Sequence, residues 1–257
     1  MRRFFAVARV LMALALVVAV AAQLRVSLRF WIDRGDQALA VDVANFFSYF
    51  TMQTSLFHAV VFALGAWFLL ARRGADPGWL GALRAAATTY TVTTGVVYNA
   101  LLRGLPQEPG LEQPWADEIL HSIVPVCALL DWLLAPGRSP VRWRTVGWIA
   151  VYPVLWVVYT MVRGPFVLDE GTGDPWWYPY PFLDPMASAG GYGSVAVWVA
   201  VLAVAITAMA AVLVGISRWR TRPADDQHGD DHGDDGGDDG GDDGGDDGGD
   251  DGGERSR

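Results

Sequence analysis

Apolar residues in this chain come in long, nearly uncharged blocks, separated by short stretches rich in Arg, Gly and Pro. The blocks fall at approximately residues 10–30, 44–70, 80–102, 116–134, 145–162 and 192–216. Each approaches the ~20 residues that a helix needs to cross a hydrocarbon layer. Because such a layer offers no water to the backbone, the segments must satisfy their own amides and carbonyls, which selects helices. The pattern predicts an all-α polytopic membrane protein, with six transmembrane helices in one bundle over residues 1–222.

Polarity inside the blocks is uneven. The second carries NFFSYFTMQTSLF (45–57), the third TTYTVTTGVVYN (88–99), and the fourth Asp117, Glu118, His121 and Asp131. In hydrocarbon these groups must pair within the bundle or line a cavity. A second expectation concerns the first block. Its basic start, short apolar core and Ala19-Val20-Ala21 also fit a cleaved signal peptide. We take it as a retained helix, with Arg9 and Arg25 reaching toward the two interfaces.

Charge adds an orientation. All 19 basic residues are Arg, a bias typical of a GC-rich bacterial genome. Arg2, 3, 9, 72, 73, 84, 138, 142, 144, 218, 220 and 222 fall on one side of the six blocks, and Arg25, 29, 34, 103 and 163 on the other. The Arg-rich side is the cytoplasmic one, which predicts a multi-pass protein of a bacterial plasma membrane with both termini in the cytoplasm. The net charge of −9 comes from the end of the chain, where 223–257 repeats GDDG. That composition predicts a disordered acidic tail with at most weak affinity for cations. The sole cysteine, Cys127, leaves no intrachain disulfide.

Depth gathers the candidate chemistry. At 1.5 Å per residue, Thr51 lies about 10 Å inside the outer end of its block and His121 about 7–8 Å inside its own. Tyr98, Asn99 and Tyr159 fall in the same layer. A hydroxyl becomes a nucleophile when a base takes its proton, and histidine is the usual base. Thr51 and His121 could be such a pair, or Thr51 could bond its own i−4 carbonyl. His58 lies about 21 Å deep, too far from His121 to share a haem, and no metal-ligand spacing is present. The run PWWYPYPFLDP (175–185) suits either an interfacial aromatic belt or a lid over a cavity.

Three pieces of the sequence carry a resemblance. FTMQTSLF (50–57), HSIVPVCALLDW (121–132), and YPVLWVVYTMVRG (152–164) with YPYPFLD (178–184) occur in this order. The chain resembles actinobacterial six-span integral membrane proteins. More distantly it is similar to the androgen-induced membrane hydrolases, intramembrane threonine hydrolases of fatty acid esters of hydroxy fatty acids. The resemblance implies Thr51 as nucleophile and His121 as base, with Ser48 or Thr54 in register if the match is shifted. Ser48, Tyr98, Asn99 and Tyr159 are the supporting or oxyanion candidates. It implies neither metal nor organic cofactor, and membrane lipids rather than nucleic acid as partners. The alternative from another class is a non-catalytic membrane protein that binds a lipid or small molecule or serves as an accessory subunit.

Overall fold

The computed structural model describes residues 1–105 and 113–219. The expected acidic tail and most of the 108–115 loop lie outside the described residues. Among those described, the regular elements are all helical. They are α1 (Arg2–Arg34), α2 (Leu39–Ser48), α3 (Phe50–Ala71), α4 (Gly78–Val97), α5 (Pro114–Glu118), α6 (Val124–Leu134), α7 (Arg144–Arg163) and α8 (Gly191–Trp219). A five-residue π turn, Tyr98–Leu102, extends α4, and another, Ile119–Ile123, joins α5 to α6. Four helices, α1, α3, α7 and α8, are long and apolar enough to cross a membrane.

Apolar side chains cover much of the outside. Leu11, Leu14 and Val18 on α1, Trp148, Leu155 and Val158 on α7, and Val197, Val201 and Val204 on α8 are all exposed. In water this would be an aggregation surface, whereas in lipid it needs no covering. Inside, α1 packs on α3, α3 on α4, and α4 on α6, α7 and α8. One cluster of buried side chains joins α1 to α2, α3 and α6 through residues such as Leu16, Phe46, Phe62 and Val124. A second joins α3, α4 and α6 to α7 and α8 through Phe50, Tyr90, Trp132, Trp156 and Leu213.

Two sequence expectations are corrected. The second block is not one helix, because Tyr49 is extended (φ −61°, ψ 131°) and separates α2 from α3. A break inside an apolar block strands carbonyls at the end of the first helix, and here side chains replace the lost amides. Gln53 Nε2 donates to Phe47 O (2.7 Å) and Trp156 Nε1 to Ser48 O (2.9 Å). Arg9 does not reach an interface either. It is 1% exposed, and its guanidinium donates to Asp131 (2.8 and 3.1 Å) and to Gly65 O (2.9 Å). Gly65 makes room, since a Cβ there would lie 2.8 Å from Arg9 Nη1. Arg84 bridges Asp131 (3.0 Å) to Asp76 (2.8 Å) and completes the network.

Candidate functional site

The break at Tyr49 puts Thr51 in the first turn of α3, where backbone amides have no helical partner. Thr51 is buried, and its i−4 carbonyl on Phe47 is already taken by Gln53. Its Oγ1 and its amide instead meet the hydroxyl of Tyr180, at 3.3 and 3.4 Å. Thr54, the register neighbour, behaves as an ordinary helical threonine and donates to Phe50 O at 2.8 Å.

His121 owes its position to Pro125. Proline has no N–H, so the carbonyl of His121, four residues earlier, loses its helical donor and is crowded by the ring. The π turn widens the helix there, and Asn99 Nδ2 donates to His121 O (2.9 Å) and to Gly95 O (2.8 Å). Gly95 lets the helices close. A Cβ on it would lie 2.8 Å from Pro125 Cγ and 2.9 Å from His121 O. The imidazole stacks on Tyr98, with centroids 3.8 Å apart and planes at 11°. His121 Nδ1 is 3.1 Å from the carbonyl oxygen of Asp117. A carbonyl only accepts, so Nδ1 carries the proton and Nε2 is the basic nitrogen of the neutral ring. The Asp117 carboxylate lies 3.9 Å from Nδ1 and accepts from Gln23 Nε2 at 2.9 Å.

Thr51 and His121 line one cavity of about 410 Å³. Its polar wall is Gln23, Thr51, Thr93, Tyr98, Asp117 and His121, and its apolar wall comes from α7 and α8, including Pro153, Val157, Leu202 and Ile206. Gln23 Oε1 and Thr93 Oγ1 on this wall are buried and accept or donate no hydrogen bond among the described residues. Pockets of this size, largely apolar with a few convergent polar groups, are the usual form of a small-molecule site.

The other candidates divide. Tyr98 is on the cavity wall beneath His121. Asn99 spends both amide protons on carbonyls and so positions the His121 turn. Ser48 and Tyr159 bond each other at 2.9 Å, away from the cavity lining. His58 is buried elsewhere, with Nδ1 2.7 Å from Thr91 Oγ1.

Tyr180 and Asp117 are the residues that sequence reasoning missed. Asp117 reads as an ion-pair partner for Arg103 or Arg163, but that pairing is made by Glu118 with Arg103 (2.6 Å), while Arg163 donates to Asn45. Tyr180 was hidden in PWWYPYPFLDP. The run is not a belt on the surface: Trp177, Tyr178 and Leu183 are buried against the bundle, and Tyr180 and Phe182 line the cavity. Enclosure of the Tyr180 hydroxyl raises its pKa, partly offset by the Thr51 hydrogen bonds. Compared with protein-family models, with curated proteins and with solved structures, the chain finds no match.

Proposed function

We propose that the protein is an intramembrane hydrolase of fatty acyl esters, with Thr51 as nucleophile and His121 as base. The observation that carries this reading is the shared cavity: a threonine hydroxyl freed from its own helix and a histidine with Nε2 basic face one apolar space. Thr51 Oγ attacks the ester carbonyl as His121 Nε2 takes its proton. The tetrahedral intermediate collapses, the bond to the alkyl oxygen breaks, and His121 returns the proton to the leaving alcohol. Water then attacks the acyl-threonine, with His121 again as base, and releases the fatty acid. The Asp117 main-chain carbonyl, accepting from Nδ1, holds the ring in the tautomer with Nε2 basic. Tyr180, within reach of Thr51 Oγ1, is the donor best placed for the developing oxyanion. The apolar wall takes the acyl chain.

The reading includes six membrane crossings. With its π turn, the 20-residue α4 is about 37 Å long. The rod from Pro114 to Leu134, built of segments of 5, 5 and 11 residues, is about 31 Å long. Both match a bilayer core of about 30 Å. The Arg distribution then puts the cavity toward the outer leaflet of the plasma membrane and both termini in the cytoplasm.

The test is labelling of the purified protein by a long-chain fluorophosphonate, alongside hydrolysis of lipid esters. We expect Thr51→Ala and His121→Ala to abolish both, and Thr51→Ser to keep them. Labelling lost in Ser48→Ala but kept in Thr51→Ala would overturn the nucleophile. Wild-type protein that neither labels nor hydrolyses would overturn the enzyme. The unpartnered Gln23 and Thr93 atoms favour a second reading, lipid binding without turnover, in which ligand binding persists in Thr51→Ala.

A further inference from the structure

Three carboxylates converge at the end of the bundle where α1 gives way to α2. Asp36 follows the left-handed Gly35 that stops α1, Asp42 lies in the first turn of α2, and Glu170 comes from the loop between α7 and α8. One oxygen from each lies within 4.8 Å of the others. Like charges this close repel, and one cation is at hand to offset them: Arg34 forks onto the Asp36 carboxylate, leaving a formal charge of −2. Glu170 Oε2 accepts the amide of Gln37 at 3.0 Å.

Asp42 carries the argument further than an exposed acidic cluster would. It is 7% exposed, yet its Oδ2 accepts no hydrogen bond among the described residues. A buried carboxylate oxygen with no donor costs stability unless a cation takes the place of the donor.

We propose that Asp36, Asp42 and Glu170 form a binding site for a hard divalent cation, Ca²⁺ or Mg²⁺. All three ligands are hard oxygens, which suits Ca²⁺ and Mg²⁺ over the softer transition metals. Water or carbonyl oxygens would complete the shell of either ion. The ion ties three pieces of chain together. Glu170 sits in a tight turn in which Asp169 Oδ1 accepts from the amides of Gly171 (2.8 Å) and Thr172 (3.3 Å). The same inter-helix loop continues to Tyr180, so a cation at this point fixes the loop that supplies the Thr51 partner.

The test is thermal unfolding of the full-length protein in detergent, first in EDTA and then with CaCl₂ in excess. We expect Ca²⁺ at about ten times its dissociation constant to raise Tm by roughly 3–6 °C. Asp42→Asn and Glu170→Gln each abolish the shift while leaving the GDDG tail intact. Absence of a shift in the wild type, or the same shift in both variants, overturns the site, the latter assigning the effect to the tail. None of these readouts uses ester hydrolysis, so the site stands or falls separately from the enzyme.

Discussion

The bundle holds two polar layers, and they are solved in opposite ways. Arg9, Arg84, Asp76 and Asp131 form one layer; Gln23, Thr93, Asp117 and His121 form the other. The same rods supply both. Arg9 and Gln23 are about 21 Å apart along α1, and Asp131 lies about 15 Å beyond His121 on its rod. In the first layer the donors and acceptors interlock, with Asp131 taken by two arginines and Arg9 also capping Gly65 O. In the second, Gln23 Oε1 and Thr93 Oγ1 are buried without a hydrogen-bond partner among the described residues, and both residues line the cavity. A buried ionic network is costly to assemble but more costly to break. Unsatisfied polar atoms weaken a fold unless a ligand completes them. The first layer thus holds the bundle together, whereas the second lines the cavity of the proposed site.

The largest expected effect breaks the first layer. Asp131→Leu strands Arg9 and Arg84 in the interior and should cost about 3–5 kcal/mol, read as loss of folded protein in detergent or a sharp drop in Tm. Next is the hinge of the second layer. Gly95→Ala drives a methyl into Pro125 and the His121 carbonyl and should cost about 1–3 kcal/mol. Ester turnover should fall by more than that stability loss implies, because His121 moves. Tyr180→Phe removes the hydroxyl at Thr51 and should cost about 0.5–1.5 kcal/mol in denaturation, with kcat reduced and acyl-chain binding kept. The smallest effect gives the cleanest contrast. Thr93→Val deletes a hydroxyl that has no partner, so stability should hold within about 1 kcal/mol or rise, while affinity for a polar lipid headgroup falls. A large stability loss in Thr93→Val would mean that the two layers do not differ as described.

Much of the architecture was legible in the apolar blocks, because helix length and lipid exposure follow from composition alone. The blocks at 44–70 and 80–102 also show where composition stops. No Gly or Pro marks the break at Tyr49, which depends on Gln53 and Trp156 capping the stranded carbonyls, and Trp156 is 108 positions from its acceptor. Depth counting brought Thr51, Tyr98 and His121 into one layer, and all three line the cavity. It admitted Asn99 and Tyr159 as well, which do not line it, because depth says nothing about which way a side chain turns around its helix. Arg9 was assigned to an interface because its acceptor, Asp131, is remote in sequence. Pro125 was the readable signal for the widened turn at His121, since a proline four residues after a functional residue frees that residue's carbonyl.

The Arg9–Asp131 pair also sets an order of biogenesis. The partners are 122 residues apart, and at ribosomal rates of 5–20 residues per second the second emerges roughly 6–24 s after the first. For that interval Arg9 lacks the Asp131 carboxylate that it binds in the finished bundle, so the contact joining the first helix to α6 forms late. The N-terminal third of the chain becomes native only when its middle has been made.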